Sequence, residues 1–427
     1  MRASDLSVIV IGGGIGGLCL AQGLKKAGVS VAVYERDGAP ASRLQGFRVH
    51  ISPEGSTALH ECLPSELWTV FDRTGGAFTG GITIMTEQLN ELFHARADDD
   101  GSADQLIARH RSVSRITLRH ILLSGLEGIV HFNKRFVRYE ETPAGRFIAY
   151  FEDGSKVGGD VLVAADGVNS RVRQQYLPHA EPVDTGVITL GGKVPLTDGA
   201  LALLPPRLLD GPVMAMPPEE CSLFMAVWKR EQGGDRYLRQ LGIEKDIPED
   251  EDYVILGFGA KREYFGFRSE PVTMRSEELK ETIRRKVVSW HPSLRKLVEL
   301  VDETQIGMAR IRSSEPVAAW TTTGVTLLGD AIHSMTPYRG IGANIALKDA
   351  ALLCAKLTEA DRGEKPVLIA IAEYEAAMRE YGFAAVTSSL KAMEHAMGQR
   401  GRGFALVKTA MRVMNAVPAL RRRMMTA

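Results

Sequence analysis

The sequence predicts an α/β fold that combines a parallel sheet, an interleaved α+β region and helices at the C-terminus. Three motifs predict this fold: the glycine-rich segment Gly12–Gly17, the segment Ala165–Ser170 and the long segment Gly329–Asn344. Each motif follows a strand-like apolar stretch, and each contains small residues that permit a close approach to a ligand. We therefore expect the three motifs to converge on one cofactor.

The first motif lies in a strand, turn and helix arrangement. Leu6–Ile11 predicts a buried parallel strand, and Gly17–Gly28 predicts the helix that follows it. Gly12 allows the tight turn, Gly14 lets backbone N–H groups approach a pyrophosphate, and Gly17 lets the helix pack closely on the strand. This arrangement is typical of a Rossmann-type dinucleotide site. The alternative is a tight buried turn without a ligand.

A second apolar strand, Ser30–Tyr34, ends in Glu35, which lies 18 residues after Gly17. A carboxylate at this position accepts hydrogen bonds from a ribose diol. A site for a 2′-phosphorylated dinucleotide more often has a basic residue there. Glu35 therefore favours an unphosphorylated adenosine ribose.

Composition limits the remaining possibilities. The chain has 427 residues, which favours two domains, and its 52 Lys and Arg balance its 52 Asp and Glu. A balanced charge gives no field that would attract nucleic acid. The four cysteines are widely scattered and the histidines include no HxxxH pair, so we expect no metal site and a reducing compartment. No apolar segment is long enough to span a membrane, and we expect a soluble, cytoplasmic protein.

Helix and strand patterns alternate between the first two motifs. Gly75–Ile84 is β-prone and leads into the charged loop Arg96–Gly101, which predicts an excursion into another sheet. Ser112–Leu123 predicts an amphipathic helix with a serine cap and Arg115 in its first turn. Two strands near Val130–Glu140 and Phe147–Phe151 then precede the second motif.

The segment from Val183 to Val288 has a different character, rich in glycine, proline and aromatic residues. It contains strand-like pieces at Leu201–Pro206, Cys221–Trp228 and Tyr253–Phe267, and we expect it to bind the substrate. Further helices and the return to the main sheet are predicted at Ser276–Ser289, Ala318–Leu328 and Ala343–Glu359.

The second and third motifs together identify a family resemblance. The third motif contains Asp330, His333 and Pro337 followed by two glycines and Asn344, and Asp160–Arg173 matches a second family pattern. The chain resembles the group A flavoprotein monooxygenases of the aromatic-hydroxylase type, over residues from about 5 to 375. The resemblance implies FAD as cofactor, NADPH or NADH as a transient co-substrate, and O₂. It implies hydroxylation or epoxidation of an aromatic or polyketide-like molecule through a flavin C4a-hydroperoxide.

The resemblance also implies site residues. Asp330 would hydrogen-bond the ribitol of FAD, Arg115 would contact its phosphate or adenosine side, and Asp166 would serve FAD and the approach of NAD(P)H. The helix after the third motif would direct its N-terminal N–H groups at the negative charge of reduced flavin. The expected cofactor-binding residues are Gly12, Gly14, Gly17, Glu35, Gly46, Arg48, Arg115, Asp166, Asp330, Gly342, Ala343 and Asn344. No residue is assigned as a catalytic base.

Three positions leave alternatives open. Gly191 stands where many relatives have an arginine, and Lys193 either compensates for it or simply faces solvent. Arg339 meets an anionic substrate or the nicotinamide cofactor, or it pairs with a surface carboxylate. His333 is either a packed structural residue or takes part in the chemistry.

The motifs also predict how the chain divides into domains. We expect an FAD-binding domain in three parts (residues 1–72, 103–180 and 297–375), an interleaved α+β substrate domain in two parts (73–102 and 181–296) and a C-terminal helical cap (376–427). The cap is basic and apolar. It therefore either packs on the body of the protein or makes weak contact with an anionic membrane.

Two other functions remain compatible with the motifs, because the motifs recognise FAD and not the reaction. One is an FAD-dependent reductase or dehydrogenase of a hydrophobic metabolite, and the other is a non-catalytic flavin-binding protein. A halogenase is disfavoured because the sequence has no WxWxIP segment.

Overall fold

The structure is a computed structural model that describes residues 6–40, 48–77, 81–95, 107–231, 233–243, 252–267, 274–398 and 404–416. Within these ranges the strands form four sheets. The predictions for Gly46 and Arg96–Gly101 lie outside the described residues.

The first sheet is parallel and has five strands in the described chain. In spatial order they are β18 (Val325–Leu327), β12 (Val161–Ala164), β1 (Ser7–Ile11), β2 (Ser30–Tyr34) and β8 (Val130–His131). All residues of β12 and β18 are buried because helices and other strands cover both faces of the sheet. The three motifs follow β1, β12 and β18, so this sheet brings them to one edge, as the sequence predicts.

The second large sheet has seven strands in the described residues and is antiparallel except for one pair. In spatial order they are β17 (Gly307–Ser313), β13 (Val183–Pro195), β16 (Tyr253–Lys261), β15 (Cys221–Trp228), β14 (Val213–Ala215), β5 (Thr83–Met85) and β6 (Glu91–His94). Its strands come from both sides of the second motif. The chain therefore moves between the two large sheets, which agrees with the predicted interleaving.

Two small antiparallel sheets complete the β-structure of the described chain. One is formed by β9 (Phe136–Glu141), β10 (Phe147–Phe151) and β11 (Lys156–Gly159), and the other by β3 (Arg48–Ile51), β7 (Arg111–Ser114) and β4 (Gly76–Ala77).

Helices cover the parallel sheet and one face of the seven-stranded sheet. The first nine α-helices of the described chain are α1 (Ile15–Ala27), α2 (Pro53–Cys62), α3 (Ser65–Thr74), α4 (Arg115–Leu123), α5 (Arg171–Tyr176), α6 (Asp198–Leu201), α7 (Arg207–Asp210), α8 (Asp235–Gln240) and α9 (Arg262–Phe265). Two more, α10 (Ser276–Lys286) and α11 (Pro292–Glu299), precede β17, and α12 (Asp330–His333), α13 (Gly342–Asp361), α14 (Val367–Met397) and α15 (Phe404–Ala416) follow it.

Two apolar cores hold these layers together. One surrounds the parallel sheet, where α1, α2 and α13 pack against one another. The other lies between one face of the seven-stranded sheet and α10 and α11, with Leu190, Leu256 and Phe258 at its centre. The opposite face of the seven-stranded sheet is partly covered by the C-terminal end of α14.

The predicted helix Ser112–Leu123 begins three residues late. Arg111–Ser114 is a strand that pairs with Arg48–Ile51, and the helix starts at Arg115 without a capping bond from the Ser114 side chain. Arg115 nevertheless lies in the first turn, as predicted. Pairing with a distant strand has overridden the local helical pattern.

The strand-like piece predicted at Leu201–Pro206 is wrong. Its first residue ends α6, and the chain then turns into α7 at Arg207. The prolines Pro205 and Pro206 cannot donate to a sheet ladder, which explains why this apolar run forms no strand. Cys221–Trp228 is a strand as predicted, whereas Tyr253–Phe267 ends as a strand at Lys261 and continues as α9.

The C-terminal helix α15 packs against the edge strand β6. Asn415 on α15 accepts a hydrogen bond from the backbone N–H of His94 at 3.1 Å and donates one to Glu91 at 3.1 Å. The described part of the predicted cap therefore rests on the protein body. In the described residues no helix is long and apolar enough to cross a membrane.

Candidate functional site

The Gly12–Gly17 turn has the geometry that the sequence predicts. Gly12 has a φ of +110°, a conformation that favours glycine, and its N–H donates to the Tyr34 carbonyl at 2.9 Å. A Cβ on Gly17 would collide with the Gly12 carbonyl oxygen, so the helix can approach the turn only because residue 17 has no side chain. Gly14 begins α1 without a capping side chain and has open space where its Cβ would lie. The N-terminus of α1 is therefore open to an anion.

Glu35 lies beside this turn at the end of β2. Its carboxylate accepts hydrogen bonds from the N–H groups of Gly13 at 2.6 Å and Asp37 at 2.9 Å, and the side chain is buried. The structure thus fixes Glu35 against the glycine turn. Its contact with a ribose stays a prediction.

An open cavity of about 350 Å³ lies against the turn and is bordered by Gly14, Glu35 and Asp166. The Asp166 carboxylate accepts a hydrogen bond from the N–H of Arg171 at 2.9 Å through Oδ2. Its other oxygen, Oδ1, is buried and has no hydrogen-bond partner among the described residues. Burial raises the pKa of Asp166. A buried acceptor without a donor is costly, so a ligand hydroxyl or amide in this cavity would stabilise the site.

Arg115 and Asp330 approach each other on the same side of the protein. Burial lowers the pKa of Arg115, and the nearby Asp330 partly opposes this. Burial also raises the pKa of Asp330, although His333 and Arg115 act to lower it. The Asp330 side chain reaches solvent through an open cleft. No hydrogen bond or ion pair joins Arg115 to another described residue. A poorly solvated guanidinium without an anion is the environment that a phosphate group would complete.

The third motif folds as a short helix, a turn and a long helix. Gly329 has a φ of +60° and precedes α12, which begins with Asp330, and Gly340 has a φ of +64° before α13 begins at Gly342. The residue before α13 gives no side-chain cap, so the first N–H groups of Gly342 and Ala343 have no capping side chain. This helix end can therefore stabilise negative charge, as the sequence predicts.

Asn344 has a different environment from that expected for a cofactor contact. Its side-chain oxygen accepts from the N–H of Ser52 at 2.8 Å, and its side-chain nitrogen donates to the His50 carbonyl at 2.9 Å. Both polar atoms are thus used to join α13 to the end of β3, and the side chain is buried. Asn344 positions the helix N-terminus through these bonds.

Arg48 joins the small sheet to the seven-stranded sheet. Its guanidinium donates to the Val227 carbonyl at 3.0 Å, and burial lowers its pKa. Gly46, two residues earlier, lies outside the described residues. Arg48 is therefore placed at the seam between the two sheets, and its contact with the cofactor stays a prediction.

The face of the seven-stranded sheet that α14 covers only in part carries a row of glycines. Gly307, Gly191 and Gly257 are aligned across β17, β13 and β16, and Phe224 on β15 continues the row. A Cβ on Gly191 would collide with the Leu256 carbonyl oxygen, which excludes the arginine that many relatives have at this position. Lys193, two residues along the same face, is half-buried and places its ammonium group 4.3 Å from the ring centre of Tyr253. Lys193 is therefore not simply solvent-facing.

The third motif reaches over this sheet face through Tyr338. Its side chain packs among Met214, Met216 and Phe224, and its hydroxyl lies where a Cβ on Gly259 would be. Arg339, the next residue, is exposed and forms no ion pair with another described residue. The contact of Tyr338 was not predicted from the sequence, because nothing in the motif indicates which sheet its loop faces.

A second cavity, of about 340 Å³, lies beside Asp330. Asn169 from the second motif, Arg310 and Arg312 from β17, and Met335 from the third motif border it. Arg312 donates to the Asn169 side-chain oxygen at 2.9 Å. The sequence did not predict either arginine at this site, because their placement depends on the pairing of β17 with β13. The described residues contain no cluster of His, Cys, Asp and Glu arranged to hold a metal ion.

These features fit FAD on structural grounds. The open α1 N-terminus suits a pyrophosphate, the unpaired Arg115 suits a phosphate charge, and the orphaned Asp166 oxygen suits a hydrogen-bond donor. The fold and the site therefore define a flavin-dependent oxidoreductase of the dinucleotide-binding class.

Comparison with known proteins agrees with this class. Residues 10–74 match the NAD(P)-binding Rossmann-like domain family, and residues 261–389 match the FAD binding domain family. A Photorhabdus luminescens crystal structure assigned as an FAD-containing monooxygenase is 36% identical, with a TM-score of 0.80 over 92% of this chain and 99% of that chain. The chain belongs to the FAD-dependent monooxygenase family, and its cofactor is FAD.

Curated relatives give the same family. The dual O-methyltransferase/FAD-dependent monooxygenase CTB3 of Cercospora beticola is 32% identical over 88% of this chain and 44% of its own length. The 6-methylsalicylate 1-monooxygenase of Aspergillus terreus is 26% identical over 82% of this chain and 74% of its own length. The chain thus spans less than half the length of the dual-function relative.

Proposed function

We propose that this chain uses NADPH or NADH and O₂ to hydroxylate or epoxidise an aromatic or polyketide-like small molecule. One contact carries the proposal: Tyr338, eight residues after Asp330, packs on the open face of the seven-stranded sheet. The loop that would hold the flavin is therefore next to a sheet face with room for a flat molecule. Relatives that act on 6-methylsalicylate and similar compounds support the substrate class.

The expected site residues divide into three groups. Gly12, Gly14 and Gly17 admit the pyrophosphate, with Glu35 at the ribose. Arg115, Asp166 and Asp330 would hold the phosphate and ribityl parts of FAD by charge and hydrogen bonds. Gly342 and Ala343 would present N–H groups to the flavin, Asn344 would hold their helix in place, and Gly46 and Arg48 would lie beside the ring.

Bound FAD supplies the redox chemistry, accepting hydride from NAD(P)H and activating O₂ for transfer of one oxygen atom. The protein orients the substrate and excludes water. On the open sheet face, Gly307, Gly191 and Gly257 leave space over the strands, while Phe224 and Met214 provide an apolar wall. A planar apolar substrate would bury its surface against this wall. No side chain here is assigned as a general base.

The cavity beside Asp330 is our proposed docking place for NAD(P)H. Arg310 and Arg312 give it positive charge, and it opens between the second and third motifs. Phosphate groups prefer guanidinium partners, which form two parallel hydrogen bonds. A transient complex is expected because the site lies on an open cleft.

Isotope labelling tests the proposal directly. The purified FAD-loaded protein is incubated with NADPH or NADH, ¹⁸O₂ and a panel of phenolic and polyketide-type compounds. One ¹⁸O atom in a product, with matching NAD(P)H consumption, is the expected result. Substrate reduction without ¹⁸O would indicate the reductase or dehydrogenase, and FAD that NAD(P)H cannot reduce would indicate a non-catalytic flavin-binding protein.

Two further predictions belong to this proposal. We propose the division into a three-part FAD-binding domain, a two-part substrate domain and a C-terminal cap at the boundaries given above. Contact of the basic C-terminal segment with anionic membranes also stays a prediction, and truncation after Gly403 with liposome co-sedimentation tests it. The packing of α15 on β6 favours the cap.

A further inference from the structure

A buried carboxylate joins the third motif to the two long C-terminal helices. Asp349 on α13 accepts three hydrogen bonds: from the Gly329 N–H at 2.7 Å, from His333 Nε2 at 2.6 Å and from the Tyr381 hydroxyl at 2.6 Å. The side chains of His333 and Asp349 are fully buried. Two of the three donors are close to Asp330 in the sequence: Gly329 lies one residue before it and His333 three residues after it.

The short helix α12 transmits the position of His333 to Asp330. It comprises only Asp330–His333, and the N–H of His333 donates to the Gly329 carbonyl at 3.0 Å. A shift of the His333 side chain would therefore move the turn that presents the Asp330 carboxylate. A second bond fixes the other end of the loop, where the Thr336 hydroxyl donates to the Ser389 carbonyl on α14 at 2.7 Å.

The hydrogen bond to Asp349 places a proton on His333 Nε2. Because a carboxylate only accepts, His333 Nε2 donates to Asp349. Burial alone would lower the pKa of His333, but Asp349 and then Asp330 outweigh burial and raise it. His333 Nδ1 is buried and has no hydrogen-bond partner among the described residues. The ring is therefore held through Nε2 and Asp349.

Other charged and titratable groups surround the pair. Arg115 on α4 acts on Asp330, and Arg173 on α5 donates to the Ala331 carbonyl at 2.9 Å. On α14, the Tyr381 hydroxyl donates to Asp349, and burial followed by Asp349 raises the pKa of the Tyr374 hydroxyl. Asp349 is thus in contact with the third motif on one side and with α14 on the other.

We propose that His333 is a positioning residue that, with Asp349 and Tyr381, holds the Gly329–Asp330 turn in the shape that lets Asp330 reach FAD. This inference rests on the proposed FAD-binding role of Asp330. His333 thereby acts through Asp330 and does not touch the reacting atoms. The imidazole of His333 also fills the space beside Gly382. A Cβ on residue 382 would lie 2.7 Å from His333 Cδ2.

The first test compares His333→Gln with His94→Gln in the full chain. The glutamine keeps an N–H donor for Asp349 on a more flexible side chain, and His94 is a buried histidine in the seven-stranded sheet, where it bonds to Thr83 at 2.9 Å. FAD affinity is measured at pH 7 by titrating FAD-depleted protein, with the unfolding temperature as the folding control. H333Q should weaken FAD binding on the order of tenfold, because the flexible glutamine loses conformational entropy when it bonds to Asp349 and fixes the turn less firmly than the imidazole ring. H94Q should leave FAD affinity unchanged.

A second comparison tests whether His333 acts through Asp349. Asp349→Asn should weaken FAD binding to a similar extent, and the double variant should add little, because the two residues form one unit. Tyr381→Phe removes one of three donors and should have a smaller effect. Additive losses, or equal FAD affinity in H333Q and H94Q, would overturn the proposal.

Nuclear magnetic resonance supplies a readout that packing alone would not change. The ¹⁵N shifts of the His333 ring at pH 7, assigned by their absence in H333Q, should show that Nε2 carries a proton. An unprotonated Nε2 would overturn the proposal. A wild-type protein that binds FAD but forms no oxygenated product would defeat the proposed function and leave this inference standing, whereas failure to bind FAD would overturn both.

Discussion

Arg115 on α4 and Asp330 on α12 lie close enough to shift each other's pKa, yet they form no ion pair. Arg115 is half-buried, Asp330 reaches solvent through an open cleft, and both are expected to bind FAD. A cation and a carboxylate that are close but unpaired leave a place for a ligand that has both a phosphate and hydroxyl groups. FAD has these groups.

Replacing Arg115 should separate cofactor binding from folding. Arg115→Ala should weaken FAD binding by about ten- to a hundredfold, since it removes a charge-assisted contact of about 1.5–3 kcal/mol. The unfolding temperature of FAD-free protein should not fall, because the guanidinium has no partner there among the described residues. Fluorescence titration and calorimetry measure the two quantities. The exposed Arg138→Ala serves as control, and equal FAD affinity in both variants would contradict the role of Arg115.

Two glycines of the first motif should respond differently to alanine. Gly17→Ala places a Cβ against the Gly12 carbonyl oxygen, which is backbone and cannot move cheaply, so the protein should be destabilised by about 1–3 kcal/mol. Gly14→Ala places its Cβ in open space and should fold normally, but it should weaken FAD binding because the pyrophosphate would occupy that space. Thermal unfolding and FAD titration of both variants check this. Unaltered FAD affinity in Gly14→Ala would show that the pyrophosphate lies elsewhere.

Stability should fall when the solution is acidified because of His50. Burial, followed by His110 and Arg48, lowers the pKa of His50 to about 3, and its Nε2 lies 2.8 Å from Nδ1 of His110. Between about pH 6.5 and pH 3 the unfolded chain binds a proton that the folded chain does not, so the free energy of unfolding decreases with falling pH. His50 thereby lowers the free energy of unfolding by about 1.4 kcal/mol for each pH unit of acidification in this range.

His50→Gln tests this slope. The variant should lose less stability than the wild type between pH 6.5 and 5, as measured by denaturant unfolding at each pH. His60→Gln, on α2, is the control. Parallel pH curves for the wild type and His50→Gln would show that the His50 pair is not the source.

The open sheet face should determine which substrates fit. A Cβ on Gly257 would meet only Thr189 at 3.6 Å and Phe224 at 3.9 Å, so Gly257→Val should fold while its methyl groups fill the space over the strands. We expect kcat/KM for the oxygenated substrate to fall at least tenfold, with FAD affinity unchanged. Steady-state kinetics on a substrate found by isotope labelling measures this.

Gly191→Ala is the matching variant for folding. Its Cβ would collide with the Leu256 carbonyl oxygen, so it should be destabilised where Gly257→Val is not. If Gly257→Val kept full kcat/KM, the substrate would not lie on this part of the sheet.

Local sequence was sufficient where the physics is local. The turn at Gly12, the strand that ends in Glu35 and the helix that begins near Gly342 depend on glycine conformation, apolar periodicity and the exposure of helix N–H groups. These constraints involve residues close together in the chain. The structure shows each of them where the sequence predicts it.

Pairing between distant segments could not be predicted from the sequence in the same way. Ser112 was predicted to start a helix, but Arg111–Ser114 pairs with Arg48–Ile51, about sixty residues earlier. Asp349 and Tyr381 could not be singled out in the sequence, because an acid or a phenol on an apolar helix resembles any other polar interruption of its pattern. Their significance appears only when α13 and α14 pack against α12.

The sequence by itself determined the class of fold and the three segments that meet at one edge of the parallel sheet, because strand–turn–helix geometry follows from local backbone preferences. Only the tertiary structure decided that Asn344 holds β3, that Tyr338 covers the glycine-lined sheet face and that His333 faces Asp349. These contacts join residues far apart in the chain, and their free energy comes from burial and hydrogen bonds that form only after the sheets and helices have packed.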